Sequence, residues 1–189
     1  MIDLHCHLLP GIDDGASDLA TSLEMARLAV QDGVRIQACT PHITPGIYDN
    51  DGAQIRQAVE ELAAALYDNG IDLYLVTGAD VHLAPRMIEG MRTGQIPTLA
   101  DSRYFLLEPP HHIVPQRMDE VVEDLCAAGY VPVLTHPERL SWIETHYSYI
   151  KRLVAAGAWV QLTAGSITGS FGSQPRYWAE RMLDEGIVH

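Results

Sequence analysis

His5 and His7, separated only by Cys6, follow the short apolar run Met1 to Leu4, and the acidic pair Asp13-Asp14 comes a few residues later. Side chains at i and i+2 of an extended strand project from the same face, so the two imidazoles emerge together where the strand ends. Such a pair is a ready grip for a divalent cation, although an isolated H-x-H can also be two polar residues at the point where a strand leaves the core. Recurrence separates the readings. His42 follows the apolar run ending at Thr40-Pro41, Asp80 follows the run Ile71 to Thr77, Glu108 closes Tyr104 to Leu107, and His136 closes Tyr130 to Thr135. Imidazoles and carboxylates without thiolates suit borderline or hard cations such as manganese, iron or zinc, and leave coordination positions open for water. The chemistry predicted is metal-assisted hydrolysis at a multinuclear centre.

The individual residues carry alternatives. Asp80 has two oxygens with which to bridge two cations, or it caps a helix. Asp13 and Asp14 stand beside Gly15, where turn residues are common, and Glu108 is either a ligand or a solvated loop acid. His82, two positions beyond Asp80, faces the same cleft or serves structure. Arg139, three residues after His136, offers a planar fork matched to phosphate oxygens and a charge it cannot lose; its other reading is a salt bridge to Glu138 or Glu144. Arg139 and Asp14 are the catalytic candidates. His111 is a candidate substrate contact in a loop with His112, and His146 belongs to a solvated helix start.

Competing signatures are absent. No cysteine has an arginine six positions later, since Ile12, Pro45 and Pro132 stand there, so a thiolate phosphatase loop is excluded. The chain also lacks G-x-G-x-x-G, a P-loop and G-x-S-x-G.

Strands and helices alternate around these residues. Ser17 and Asp18 precede a helix stopped by Gly33; Val34 to Thr40 predicts a strand, and Ala53 to Asn69 a helix closed by Gly70. After the strand Ile71 to Thr77, a short helical stretch begins near Pro85. The strand Tyr104 to Leu107 precedes a helix Gln116 to Ala128, and Tyr130 to Thr135 precedes a helix Tyr147 to Ala156. Ala158 to Thr163 is the sixth strand, Ala164 to Gly172 a small-residue loop, and Pro175 to Glu185 the last helix; Ile187 and Val188 read as the start of a seventh strand. This order predicts a parallel α/β sheet or barrel with right-handed crossovers, whose site lies at the C-terminal ends of the strands.

The 189 residues are 47% hydrophobic and 20% charged, as in ordinary globular chains, and predict one domain, 1–189, with no linker or internal repeat. Against 25 Asp plus Glu stand 12 Lys plus Arg, a formal net charge of −13 that repels a phosphate backbone and argues against nucleic-acid partners. The three cysteines lack the spacing of a disulfide framework, which fits a reducing compartment. No signal sequence opens the chain, and no run reaches the roughly 18 apolar residues of a membrane span, so a cytoplasmic protein without membrane insertion is expected.

His5-Cys6-His7 through Asp13-Asp14-Gly15, Thr40-Pro41-His42, Thr135-His136-Pro137-Glu138-Arg139 and the loop from Thr163 to Gly172 together resemble the bacterial metal-dependent protein-tyrosine phosphatases of the polymerase and histidinol phosphatase (PHP) superfamily. The resemblance spans essentially the whole chain. It implies a distorted (β/α)7 TIM-like barrel, a cluster of two or three divalent cations, usually manganese, with iron or zinc as alternatives, and a partner that is a tyrosine-phosphorylated bacterial kinase controlling capsule or exopolysaccharide synthesis. A hydroxide bridging the cations would be the nucleophile and Arg139 the phosphate clamp. Residue by residue, the resemblance puts His5 and His7 on one metal, His42 and His136 on a second, Asp80 bridging both, and Asp14 with Glu108 on a third. The alternatives are a phosphoesterase for a small monoester such as histidinol phosphate, and an inactive, metal-poor regulatory homologue. Two departures stand out: the family commonly has glutamate where this chain has Asp80, and its later Ser-Asp-Ala-His type motif and arginine lie beyond His189. The chain is therefore expected to be C-terminally incomplete, lacking the last strand and helix.

Overall fold

The predicted alternation is present in a computed structural model that describes residues 1–189. Short β-branched and aromatic runs form parallel strands, and amphipathic segments form the helices between them. The architecture is α/β with parallel pairing, and the chain divides into two compact units, Met1–Leu106 and Leu107–His189.

In the first unit, β1 (Ile2–Cys6), β2 (Ile36–Cys39) and β4 (Tyr74–Thr77) form a parallel sheet in the order β1-β2-β4. Helix α1 (Leu19–Gln31) starts where Asp18 accepts from the Thr21 amide at 2.8 Å. Helix α2 (Gly52–Asp68) begins with a reciprocal cap, Asp51 accepting from the Ala53 and Gln54 amides while Gln54 accepts from the Asp51 amide. Its buried stripe of Ile55, Val59, Leu62 and Leu66 follows the i, i+3, i+4 rule and packs towards β4. Each such side chain taken fully out of water contributes roughly 1.5–3 kcal/mol.

Two further strands occupy stretches that sequence alone leaves as loops. After β2 the chain breaks at Thr40-Pro41 and resumes as β3 (His42–Ile43); after β4 it breaks at Gly78-Ala79 and resumes as β5 (Asp80–His82). These two pair in parallel, His42 opposite Asp80 and Ile43 opposite Val81, as a pairing separate from the β1-β2-β4 sheet. Pro41 has no amide hydrogen to continue a ladder, and Gly78 allows a close approach to Leu99 and Thr40 that a Cβ would block, so both breaks have local causes. Helix α3 (Met87–Thr93) completes the regular part of this unit before β6 (Tyr104–Glu108).

In the second unit, β7 (Val131–Thr135) pairs in parallel with β8 (Trp159–Gln161). Helices α4 (Met118–Ala127) and α5 (Ile143–Ala155) pack together, burying Met118, Val122 and Leu125 from one and Ile150 and Leu153 from the other. Helix α5 starts earlier than its periodicity predicts because a kink at His146 joins an extra turn to it. The small-residue stretch after β8 is not all loop: Ala164–Thr168 forms α6, followed by α7 (Ser173–Asp184). No seventh strand forms at Ile187-Val188; the segment is irregular, and His189 meets β8 through its amide, which donates to the Val160 carbonyl at 3.1 Å, and through Nδ1, which accepts from the Val160 amide at 3.3 Å.

Candidate metal centre

The register of β1 against β2 slips by one residue between Asp3 and Cys6, a bulge of the kind that re-aims side chains at strand ends. Within it the His5 amide leaves the ladder and donates to Asp3 Oδ1 at 3.1 Å. The His5 and His7 rings then converge, with their Nε2 atoms 3.3 Å apart. Gly15 presses its backbone on His7: a Cβ there would stand 2.2 Å from the His7 carbonyl oxygen and 2.3 Å from its Cβ. Only glycine admits that contact.

Asp13 orients this group. One of its oxygens lies 2.7 Å from His7 Nδ1 and accepts from the His42 amide at 3.0 Å, while the other accepts from the Gly15 amide at 3.0 Å. Burial works to raise the Asp13 carboxyl, but these hydrogen bonds outweigh it and hold the group below the usual carboxylate range. With Nδ1 engaged, His7 presents Nε2 to the centre, the arrangement that supports a metal-bound imidazole. Sequence reasoning ranks Asp13 below Asp14; the geometry gives Asp13 the orienting task and leaves Asp14 exposed, its Oδ1 3.5 Å from His42 Nε2.

Asp80 is fully buried, and neither of its carboxylate oxygens has a hydrogen-bond partner. Facing it are His5 Nε2 at 3.4 Å and His42 Nδ1 at 3.7 Å. A carboxylate buried without hydrogen bonds is strongly disfavoured unless a cation compensates it. Two ligands at 2.0–2.1 Å from one ion stand roughly 3.0 Å apart in octahedral and roughly 3.4 Å apart in tetrahedral geometry. The His5 spacing of 3.4 Å matches the tetrahedral value and the His42 spacing of 3.7 Å lies 0.3 Å beyond it, so the residues fit a divalent cation with a small inward movement of His42. His5, His7 and Asp80 form one potential ligand group, and His7, Asp14 and His42 a second that shares His7. Two residues that motif reading missed support His42: Tyr48 stacks on its ring at 5.6 Å, and the Asn50 side-chain amide donates to its carbonyl at 2.9 Å. His82 ends β5, partly buried.

The second unit carries its own group of Glu108, His111 and His136. Glu108 Oε1 is 4.0 Å from Nε2 of each histidine, and the two rings lie 5.4 Å apart. His111, expected as a substrate contact, thus stands among potential ligands, while His112 is exposed beside it. His136 adopts a left-handed backbone, φ 37°, at the head of the turn Pro137–Arg139. That turn sends its two charged residues in different directions. Glu138 is buried, accepting from the Thr163 amide at 3.0 Å and Ser166 Oγ at 2.8 Å. Arg139 is exposed, its guanidinium 4.7 Å above the Phe171 ring rather than on Glu138. His146 hydrogen-bonds to Thr145 Oγ1 at the α5 kink.

Cysteine chemistry has no footing here. Burial, with Asp3 and Asp13 nearby, pushes the Cys6 thiol up to about 12, and burial beside Cys6 pushes Cys39 higher still.

Over residues 1–189 the chain matches the family model for capsular polysaccharide synthesis, CpsB/CapC. This chain belongs to the CpsB/CapC family. Among curated relatives, the tyrosine-protein phosphatase YwqE of Bacillus subtilis (strain 168) is 38% identical over 189 residues, covering 100% of this chain and 74% of that protein. The tyrosine-protein phosphatase CpsB of Streptococcus pneumoniae is 27% identical over 197 residues, covering 100% of this chain and 80% of that one. A solved structure from work on YwqE and CpsB, described as metal-dependent tyrosine phosphatases, superposes with a TM-score of 0.96 at 38% identity, over 100% of this chain and 76% of the other. The CpsB/CapC chain has no helix long and apolar enough to cross a membrane.

Proposed function

We propose that this CpsB/CapC chain is a cytoplasmic, metal-dependent phosphatase that hydrolyses phosphotyrosine in proteins, its partner an autophosphorylating bacterial tyrosine kinase that controls capsule or exopolysaccharide synthesis. The observation that carries this reading is Asp80, a buried carboxylate without hydrogen bonds, faced by two imidazoles at or near ligand spacing. His5, His7, Asp14, His42 and Asp80 in the first unit, and Glu108 and His136 in the second, hold the divalent cations, manganese first among them; His111 stands beside the latter pair. The reading includes a single phosphatase domain of the distorted (β/α)7 type, supported by the β-α alternation and the parallel pairings.

Bound cations supply Lewis acidity towards the phosphoryl oxygens and an activated water for attack on phosphorus. The chain supplies the rest. Asp13 holds His7 in the tautomer that presents Nε2, and the β1 bulge keeps His5 and His7 at one spacing. Exposed Arg139 meets the incoming phosphoryl group with a fork of N–H donors, stabilising charge that grows on its oxygens. The phenolate of tyrosine leaves readily, so the chain needs to donate little to it.

The test is hydrolysis of a phosphotyrosine peptide, histidinol phosphate and an alkyl phosphate after chelation and after manganese is returned. Manganese-restored activity on the peptide above the other two supports the reading. Preference for histidinol phosphate transfers the centre to small monoesters, and fewer than one bound cation per chain by elemental analysis removes the enzymatic reading altogether.

A further inference from the structure

Arg139 ends a three-residue turn and is exposed, with a long side chain rich in rotamers. A clamp that must meet phosphate in one orientation needs external support, and the segment Thr163–Gly172 touches its turn at two points. On the inner side Glu138 is 1% exposed and its Oε1 accepts from the Thr163 amide and from Ser166 Oγ, Ser166 itself being fully buried. On the outer side Phe171 lies under the guanidinium, 4.7 Å from ring centre to Cζ. Phe171 is 48% exposed, so its ring lies at the surface where the guanidinium sits. Its seat is Gly165, where a Cβ would stand 2.6 Å from Phe171 Cε2 and 3.0 Å from Cδ2. The same short helix, α6, carries Gly165 and Ser166, so one element sets both contacts.

We propose that Phe171, seated on Gly165, is a positioning residue that holds the Arg139 guanidinium in its phosphate-accepting orientation, while Glu138 fixes the turn from below. This rests on the reading of Arg139 as the phosphate clamp. The ring face attracts the cation and leaves the guanidinium edge, with its N–H donors, directed away from the ring.

The experiment measures inorganic phosphate binding to the manganese-loaded 189-residue chain by calorimetry, together with kcat and KM on an aryl phosphate, for native protein, Phe171→Ala, Phe171→Trp, Arg139→Ala and the double variant Phe171→Ala/Arg139→Ala. Phe171→Ala is expected to weaken phosphate binding and raise KM by about two- to fivefold, the size of an exposed cation–π contact, with Phe171→Trp restoring native values. In the Arg139→Ala background, Phe171→Ala should add nothing, because its effect passes through the guanidinium. A separate readout needs no activity: the Arg139 Nε–H proton should resonate upfield in native protein through the ring current and lose that shift in Phe171→Ala. If Arg139→Ala weakens phosphate binding while Phe171→Ala does not, or if the two effects add, the positioning role is overturned. An absent ring-current shift overturns the stack itself. If Arg139→Ala leaves phosphate binding unchanged, or native protein binds none, the clamp reading fails first and takes this inference with it.

Discussion

Replacing Asp80 with asparagine should raise the stability of the metal-free protein and abolish its stabilisation by metal. The carboxylate is fully buried, its two oxygens accept no hydrogen bond, and its ionic neighbours are the His5 and His42 nitrogens at 3.4 and 3.7 Å. In chelator the folded state therefore keeps a fully buried carboxyl group whose oxygens have no hydrogen bond to compensate their burial. Asparagine keeps the shape and removes the charge, and relief of such a group is worth about 1–3 kcal/mol. For a chain of this size that raises the melting temperature by roughly 2–4 °C per kcal/mol. The native protein in manganese at a hundred times its dissociation constant gains about 2.7 kcal/mol, a gain the variant should mostly lose. Differential scanning calorimetry of both proteins in chelator and in manganese therefore yields a crossing pattern: variant above native without metal, native above variant with it. A variant that melts lower than native in chelator and still rises fully with manganese would show that Asp80 stabilises the fold by itself, and the argument from its missing hydrogen bonds would fall.

Asp13→Ala removes the partner of His7 Nδ1 and should lower manganese affinity by about 10- to 100-fold with the fold retained; unchanged affinity by calorimetric titration counts against its orienting task. Gly15→Ala places a methyl group on His7 and should destabilise the protein by about 1–3 kcal/mol while lowering metal affinity, both read from melting in chelator and in manganese. Tyr147, whose hydroxyl donates to Glu185, is pushed up to about 12 by burial and then by that carboxylate. The folded state therefore keeps the proton to higher pH than the unfolded chain, so the contribution of Tyr147 is full below about pH 10 and fades as pH rises towards 12. The stability gap between native protein and Tyr147→Phe, measured by urea unfolding, should narrow across that window; a constant gap refutes the assignment.

Much of the candidate site is legible because imidazoles and carboxylates recur where apolar runs end. The alternation rule points to His5 and His7 together, but what brings their rings together is a bulge in β1, with His7 one residue past the strand, and no local pattern announces that bulge. What stays hidden is set by partners distant in sequence. Strands β3 and β5 are too short for a periodic signal, and Pro41 and Gly78 read as ends rather than interruptions; only their mutual pairing, His42 opposite Asp80, makes them strands. Glu138 looks like a salt-bridge partner for its neighbour Arg139, because nothing local reveals that it turns inward to Thr163 and Ser166. The glycines and serines of α6 weaken helix propensity enough to pass for loop, yet those small residues admit the Phe171 ring and the Ser166 hydroxyl bond. Asp13 and Asp14 are equivalent by composition and are told apart only by which one turns towards His7.

His136 holds its imidazole beside Glu108 only by adopting a left-handed backbone that a non-glycine residue enters at a penalty of about 1–2 kcal/mol. Anyone redesigning this chain for heat tolerance with an algorithm that scores backbone comfort would be steered to glycine at that position. The resulting molecule would exchange a buried imidazole for backbone comfort, and melting curves alone would not register that a proposed metal ligand had gone.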